Sequence, residues 1–188
     1  MQLLYQDLMR SEKIETLIGQ LSSREIINLS NMNGGFKEVL TGLVFGHVGE
    51  RILYVAATDY QAQKIARELE TILPQKVLYF PMEPIHDYFA DVHSHEISHQ
   101  RLDVFEKLLS DEKYVVVAGA ETLLKKLMPR KRFESLVFSL ALEDTADPVE
   151  LMTRFYDLGY EAVSQVEAKG QVAHRGGIID VFPPTGEQ

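Results

Sequence analysis

The chain has no cysteine. Disulfides, cysteine-ligated zinc, iron–sulfur clusters and thiol catalysis are therefore impossible. The sequence also lacks any apolar run close to the roughly 18 residues of a membrane-spanning helix. Its first residues, MQLLYQDLMRSEKIE, carry acidic side chains early and no long apolar stretch before a small-residue cleavage site. We therefore expect a cytoplasmic protein with no secretion signal and no membrane partner.

Basic residues are scarce. The sequence has 19 Lys and Arg against 28 Asp and Glu, and its formal net charge at pH 7 is −9. A general binder of nucleic acid or anionic membrane uses Lys and Arg to neutralise phosphates, so the charge balance disfavours that class. Hydrophobic residues make up 45% and charged residues 25% of the 188 residues. This composition and length are typical of one or two folded domains.

Short apolar runs in the first part of the chain predict strands of a parallel sheet. The candidate strands are Arg24–Leu29, Ile52–Ala57, Val77–Phe80 and Tyr114–Ala118. The continuous run Ile52–Ala57 is typical of a strand buried on both faces. Apolar residues at helical spacing predict the helices between them, over residues 36–47, 60–73 and 97–109, with a loop over 81–95. This alternation predicts parallel βαβ units and one α/β domain over residues 1–135.

The pattern changes after residue 135. The sequence predicts strands over residues 136–142, 162–167 and 177–182. It also predicts a helix from Pro148 to Leu158, which Gly159 ends. We therefore expect residues 136–188 to be the start of a second, smaller α+β domain. The chain stops at Gln188 soon after its last predicted strand, which indicates a piece of a longer protein with this domain truncated.

The string His95-Glu96-Ile97-Ser98-His99 matches the zinc-protease pattern H-E-x-x-H. In that pattern two histidines one helical turn apart hold the metal, and the glutamate acts as a base. The surroundings favour a solvated helix N-terminus instead, because the string lies where a predicted loop gives way to a predicted helix. Arg101 follows closely, and no spacing specifies a third ligand. The candidates for that ligand are His86, His93, Glu112 and Glu121.

The segment after the first candidate strand occupies the position of a phosphate-binding loop, whose pattern is G-x-x-x-x-G-K-[ST]. Aligning Lys37 with the lysine puts Asn31 and Phe36 at the glycine positions and Glu38 at the Ser/Thr position. Phe36 adds bulk where the backbone must approach phosphate. Glu38 puts a carboxylate beside phosphate charge. The sequence predicts a loop with the position of a phosphate site but without its function; an ordinary βα turn is the alternative.

Arg175 lies in the turn-rich segment Gly170–Gly177, between two predicted strands. An exposed arginine on a rigid hairpin is a good anchor for an acidic partner, because its planar guanidinium donates paired hydrogen bonds. Gly176 and Gly177 equally suit an ordinary turn or bulge.

Five stretches of the sequence, in order, resemble the N-terminal region of the bacterial transcription-repair coupling factor, Mfd, which is itself similar to the excision-repair protein UvrB. They are NGGFKEVL, ILYVAATDYQAQKIARELE, PMEPIHDYF, YVVVAGAETLLKKLMP and DLGYEAVSQVEAKGQVAHRGGIIDVFPP. The last stretch is the most specific, because its Arg-Gly-Gly-Ile-Ile-Asp core followed by Phe-Pro is shared with both families. The likeness covers about residues 25–188.

The resemblance implies that residues 1–135 form a degenerate RecA-like, P-loop NTPase-like domain similar to the first domain of UvrB. UvrB keeps the phosphate-loop pattern, whereas this chain has Asn31, Phe36 and Glu38 in its place. The resemblance therefore implies no bound nucleotide or other cofactor.

The resemblance also implies that residues 136–188 are similar to the UvrA-binding domain of UvrB. Arg175 matches an arginine that contacts UvrA in that family, with Gly176 and Gly177 shaping the turn. The family's other contact residues, an arginine and a phenylalanine on the next strand, would lie beyond Gln188.

We therefore expect a non-catalytic adaptor that recruits UvrA to RNA polymerase stalled at DNA damage, in nucleotide excision repair. The parent protein would be an ATP-driven DNA translocase that contacts RNA polymerase and DNA through its other parts. The H-E-x-x-H string would then be coincidental, with no metal. Two alternatives stay open, a nucleotide-binding α/β enzyme and an H-E-x-x-H zinc hydrolase.

Overall fold

The computed structural model of the chain describes residues 8, 10–21, 26–83 and 91–185, and the side chains of all of these except 91–95. Contacts group the chain into two compact units. The first unit is Met1–Met82 with Glu112–Lys125, and the second unit is Glu83–Asp111 with Lys126–Gln188. The predicted domain boundary at residue 135 stays a prediction, because compactness alone does not define a domain that folds by itself.

The elements alternate between helix and strand as the sequence predicts. The described helices are α1 (Glu12–Leu21), α2 (Phe36–Val48), α3 (Asp59–Ile72), α4 (Asp91–Leu109), α5 (Ala120–Leu123), α6 (Arg130–Leu136) and α7 (Pro148–Asp157). The described strands are β1 (Ile52–Ala56), β2 (Val77–Phe80), β3 (Val115–Gly119), β4 (Glu161–Ala162), β5 (Gln171–Arg175) and β6 (Ile178–Phe182). The α/β class is confirmed. None of the described helices is both long and apolar enough to cross a membrane.

The first unit is built on a parallel sheet in which β3 lies between β1 and β2. Val115 of β3 is in register with Ile52 of β1 on one side and with Val77 of β2 on the other. The valine-rich sequence of β3 suits this central place, because a strand with neighbours on both sides buries most of its side chains. The predicted parallel pairing is confirmed for these three strands.

Helix α3 packs on this sheet through one apolar face. The helix begins after Thr58, whose side chain accepts a hydrogen bond of 3.2 Å from the backbone N–H of Gln61 and so acts as an N-cap. Its buried residues recur at helical spacing and are Ala62, Ala66 and Leu69. They share one hydrophobic core with Val115 and Val117 of β3.

Helices α1 and α2 form a second cluster in the first unit. Its buried members are Ile14, Leu17, Ile18 and Leu40, with Phe36 packed against them. Helix α2 covers the range that the sequence predicts and ends at Gly49, which adopts a left-handed conformation with φ of 62°.

Two predictions for the first unit are wrong. Of the strand predicted over Arg24–Leu29, residues 26–29 have no regular structure, Ile26 is 91% exposed, and residues 24 and 25 lie outside the described part. A β-branched run becomes a strand only where a neighbour pairs with its backbone, and no described strand does so here. Strand β1 is not buried on both faces. Leu53 and Val55, which share one face, are about half exposed, and among the described strands β1 pairs with β3 alone.

The second unit holds a mixed sheet in which β5 pairs in parallel with β4 and antiparallel with β6. Helix α7 starts at Pro148, as the sequence predicts. The Asp147 carboxylate, which the sequence did not single out, caps it by accepting hydrogen bonds from the backbone N–H groups of Val149 and Glu150. Gly159, with φ of 89°, follows its last turn. The core of this unit contains Met152, Phe155 and Val172.

Several element boundaries in the second unit differ from the prediction. The strand predicted over 136–142 is wrong: α6 ends at Leu136, and residues 137–141 have no regular structure. Helix α4 begins at Asp91 rather than at residue 97, which shortens the predicted loop, and residues 84–90 lie outside the described part. The predicted strand over 162–167 is reduced to β4, and most of the predicted turn over 170–177 is strand β5.

Candidate functional site

The hairpin formed by β5 and β6 carries the arginine that the sequence singles out. Arg175 is the last residue of β5 and is in register with Ile178, the first residue of β6. Gly176 and Gly177 alone form the turn, and Gly176 has φ of 61°. A two-residue hairpin turn requires such left-handed backbone, which glycine adopts without strain. The turn is therefore shorter than predicted, and Arg175 is held by strand pairing.

The two faces of this hairpin differ in character because side chains alternate along a strand. Val172 and Ile179 share one face, and both pack with Met152 and Phe155 in the core of the second unit. Arg175 lies on the opposite face. The hydrophobic core thus anchors the hairpin from one side and leaves the arginine on the other.

Arg175 is exposed, as predicted, but it also has an intramolecular partner. Its Nη2 donates a hydrogen bond to Oδ2 of Asp180 at 2.5 Å. Asp180 is in register with Ala173, so the pair runs diagonally across the two strands on one face. The side chains of Arg175 and Asp180 are 64% and 39% exposed, so both remain accessible to a partner molecule.

Asp180 joins this site through the structure and not through the sequence-based prediction. A usable signal for it lies in the spacing Arg-Gly-Gly-Ile-Ile-Asp. With a two-residue turn at the glycines, residues five apart become diagonal neighbours on the same face of the hairpin. Because a longer turn was predicted, this diagonal contact did not follow from the sequence.

The segment that resembles a phosphate-binding loop precedes α2. Asn31 and Gly34 have φ of 59° and 61°, and Gly35 caps α2 without a side-chain hydrogen bond. Lys37 is exposed. Glu38, in the first turn of α2, is only 6% exposed, and its Oε2 has no hydrogen-bond partner among the described residues.

A buried carboxylate in the first turn of α2 opposes the binding of phosphate there. A helix N-terminus attracts anions, but Glu38 already supplies a negative charge at this end. Burial raises the pKa of the Tyr54 hydroxyl on β1, and the negative charges of Glu38 and Glu68 raise it further. Glu38 and Glu68 therefore make the surroundings of the Tyr54 hydroxyl negative.

The carboxyl edge of the parallel sheet, where open α/β sheets commonly bind ligands, is occupied by side chains of the protein itself. The Asp59 carboxylate accepts hydrogen bonds from the Tyr79 hydroxyl at 2.6 Å and from the backbone N–H of Met82 at 3.0 Å. The backbone N–H of Asp59, at the start of α3, donates to Glu121 Oε1 at 2.8 Å. Glu121 therefore takes the place that an anionic ligand would take at this helix end.

Tyr79 is held in its neutral form at this edge. Burial raises the pKa of its hydroxyl most, and the hydrogen bond and negative charge of Asp59 raise it further, well above the ordinary value of 10.0. The neutral hydroxyl is the hydrogen-bond donor that the Asp59 carboxylate needs.

The H-E-x-x-H string, residues 95–99, lies inside α4. This helix begins six residues before its predicted start at residue 97. Because α4 begins at Asp91, the expectation that the string starts the helix is wrong. Glu96 is exposed, and the side chain of His95 lies outside the described part. Of the proposed third ligands, His86 and the side chain of His93 lie outside the described part. Glu112 is paired with Lys76, and Glu121 with the start of α3. No described group of three His, Asp or Glu side chains has an arrangement that could hold a metal.

A family model described as the UvrB interaction domain matches residues 138–188. This range contains α7 and the β5–β6 hairpin, so the exposed arginine belongs to a UvrB-type interaction domain.

The chain is also similar to transcription-repair coupling factors. It is 31% identical to that of Bacillus subtilis strain 168 over 160 residues, which cover 85% of this chain and 14% of the relative. It is 24% identical to that of Staphylococcus aureus strain USA300 over 144 residues, which cover 76% of this chain and 12% of the relative. The chain is therefore an N-terminal Mfd-like region, which confirms the resemblance, and it spans a small part of the length of these relatives.

Proposed function

We propose that this chain is the adaptor region of a transcription-repair coupling factor and that it binds UvrA through the β5–β6 hairpin. In this role it recruits UvrA, and with it nucleotide excision repair, to RNA polymerase stalled at DNA damage. RNA polymerase and DNA are contacted by other parts of the parent protein, an ATP-driven translocase that acts in the cytoplasm.

The observation that carries this proposal is the exposed guanidinium of Arg175 on a hairpin inside the matched UvrB interaction domain. The core contacts of Val172 and Ile179 hold the hairpin, so Arg175 is presented from a fixed backbone. An arginine in this setting binds a carboxylate through two parallel hydrogen bonds. We infer that an acidic side chain of UvrA is the group it binds, in a protein whose own net charge of −9 otherwise repels acidic partners.

For the first unit we propose a degenerate RecA-like domain that has lost its nucleotide site and has no catalytic role. Its parallel order β1-β3-β2 and the position of the loop before α2 support this proposal. Glu38 at one helix start and Glu121 at the next occupy the places where phosphates would be bound. A nucleotide-binding enzyme and a zinc hydrolase have no matching arrangement among the described residues.

Replacement of Arg175 by alanine tests the proposed function. Truncating an arginine that becomes desolvated at an interface typically costs about 2 kcal/mol or more, roughly 30-fold in affinity. We expect Arg175→Ala to weaken binding of purified UvrA to the immobilised parent protein by about this factor, measured by biolayer interferometry. The melting temperature should stay nearly unchanged, because an exposed side chain contributes little to stability.

His174→Ala is the matched control. His174 is the neighbouring exposed residue, but alternation along β5 places it on the other face of the hairpin from Arg175. We expect this variant to bind UvrA nearly as the unaltered chain does. Equal affinity of Arg175→Ala and the unaltered chain would refute the assignment of this hairpin as the UvrA-binding site.

A further inference from the structure

The Arg175 guanidinium has a defined direction before any partner arrives. Its hydrogen bond to Asp180 links two side chains that the hairpin register places diagonally on one face. Exposed ion pairs of this kind contribute little to the stability of a fold, because water screens the attraction and two long side chains lose freedom. The physical consequence of this contact is thus the orientation of Arg175 rather than the stability of the hairpin.

We propose that Asp180 is a positioning residue, which holds the Arg175 guanidinium in the orientation that a carboxylate of UvrA requires. This inference rests on the proposed function, because it assigns a role to a second residue of the same site. Binding a flexible side chain costs entropy, and a side chain already held in place costs less. Asp180 reduces this cost by restricting Arg175 in the free protein.

The contact leaves Arg175 able to bind a second carboxylate. Of the five N–H donors of a guanidinium, the hydrogen bond to Asp180 uses one on Nη2. The other donors remain for a partner, so Asp180 and a UvrA carboxylate can be bound by the same guanidinium. Ile178, in register with Arg175 and 63% exposed, supplies an apolar neighbour that would exclude water from the pair once UvrA is bound.

Charge alone makes the opposite prediction for Asp180, and this difference gives a sharp test. If Asp180 acted only through its negative charge, its removal would make the hairpin more positive and would strengthen binding to an acidic partner. If Asp180 positions Arg175, its removal weakens binding. We expect Asp180→Ala to bind purified UvrA about three- to tenfold more weakly in biolayer interferometry, the range for releasing one ordered side chain.

A double-mutant comparison separates positioning from a direct or structural role. In a chain that already carries Arg175→Ala, Asp180→Ala should change the affinity for UvrA by less than about twofold, because Arg175 is no longer there to be positioned. If Asp180 instead contacts UvrA directly or shapes the hairpin, Asp180→Ala should weaken binding equally in both backgrounds. That result would overturn the positioning role.

Asp180→Asn is the rescue variant, and it also guards against misfolding of the alanine variant. Asparagine keeps an oxygen that can accept the hydrogen bond from Arg175 but removes the charge. We expect Asp180→Asn to bind UvrA more tightly than Asp180→Ala and to melt within a few degrees of the unaltered chain. Binding of Asp180→Asn as weak as that of Asp180→Ala would contradict a role through this hydrogen bond.

The outcomes distinguish the two proposals. If Arg175→Ala weakens UvrA binding and Asp180→Ala leaves it unchanged or strengthens it, the positioning role is wrong and the proposed function stands. If Arg175→Ala has no effect, the proposed function fails, and the role of Asp180 fails with it.

Discussion

Gly119 ends β3 where the chain passes closely over the start of α3. A Cβ atom at this position would lie 2.7 Å from the backbone nitrogen and 2.9 Å from the Cα of Asp59. Both are backbone atoms of a capped helix, so they cannot move aside as the end of a flexible side chain can. The absence of a side chain at residue 119 therefore permits the close approach that lets Asp59 and Glu121 meet at the sheet edge.

We expect Gly119→Ala to lower the free energy of unfolding by about 1–3 kcal/mol, the usual cost of an overpacked site. Gly46→Ala is the matched control. Gly46 lies within α2 with nothing within 4 Å of its would-be Cβ, so alanine should stabilise the chain by about 0.5–1 kcal/mol. Urea unfolding of both variants measures the difference. Equal stability of the two variants would show that the backbone at Gly119 can relax.

The hydrogen bond between Tyr79 and Asp59 makes the free energy of unfolding depend on pH in the alkaline range. The pKa of Tyr79 is raised in the folded protein, so the folded state retains this proton more strongly than the unfolded state. Its contribution to stability is therefore fully present below pH 10, the ordinary value, and is lost as pH rises through the higher folded pKa. Tyr54 and Tyr160, whose pKa values burial also raises, contribute in the same direction.

We expect Tyr79→Phe to destabilise the chain by about 1–2 kcal/mol at pH 8, because the Asp59 carboxylate loses a hydrogen-bond donor. Between pH 8 and pH 11, however, the variant should lose less stability than the unaltered chain. Urea unfolding at both pH values measures both effects. The control is Tyr60→Phe, which replaces a 79% exposed side chain and should change neither quantity. Parallel pH profiles for Tyr79→Phe and the unaltered chain would contradict this account.

At the scale of an element, helix α7 shows how the effect of a carboxylate on helix stability depends on the end at which it lies. Asp147 accepts two backbone hydrogen bonds at its start, and Asp157 places the same carboxylate at its end. A carboxylate is favourable at a helix N-terminus and unfavourable at a C-terminus. Replacing aspartate by alanine can therefore be compared at the two ends of the same helix, at Asp147 and at Asp157.

We expect Asp147→Ala to lower the free energy of unfolding by about 1 kcal/mol, the usual cost of a lost N-cap. Asp157→Ala should leave it unchanged or raise it slightly, since the substitution removes a negative charge from the C-terminal end. Thermal unfolding of the two variants at low salt measures the contrast. An equal loss in both would mean that the carboxylates act through some contact other than capping.

Elements with local signals are predictable from this sequence, and elements that depend on distant partners are not. Helix α7 is predicted from Pro148 to Leu158, with Gly159 as its stop, because proline in a first turn and glycine after a last turn are signals in adjacent residues. Residues 137–141 have apolar side chains typical of a strand, but no described strand pairs with them. The sequence predicts a turn where most of β5 lies. These residues form a strand because they pair with β4 and β6, which local sequence does not reveal.

The same distinction applies to the candidate site. The exposure of Arg175 is predicted from its glycine-rich surroundings, and the change of phosphate-loop residues at Asn31, Phe36 and Glu38 is visible in the sequence. The pairing of Arg175 with Asp180 depends on the hairpin register, and the contact of Glu121 with α3 joins residues 62 positions apart. The spacing of Arg175 and Asp180 is a signal only when the turn is known to have two residues, and the Glu121 contact has no signal in neighbouring residues.

At the scale of the whole molecule, acidic side chains lie at two helix starts of the first unit, and the candidate site with Arg175 lies in the second unit. The first unit has the parallel sheet that nucleotide-binding proteins use, but carboxylates lie at the starts of α2 and α3, where such proteins bind phosphates. The second unit carries the exposed arginine. In a chain with a net charge of −9, the general electrostatic field also disfavours a highly charged nucleotide.

We therefore expect the chain not to bind Mg-ATP. Calorimetric titration should detect no binding up to millimolar nucleotide, which corresponds to a binding free energy on the order of 4 kcal/mol or less. The physical reason lies at Glu38, whose buried carboxylate adds a negative charge in the first turn of α2, where a phosphate would otherwise be attracted. A micromolar affinity that is lost in Lys37→Ala and kept in the control Lys64→Ala would contradict this prediction, because it would locate a working nucleotide site at the start of α2.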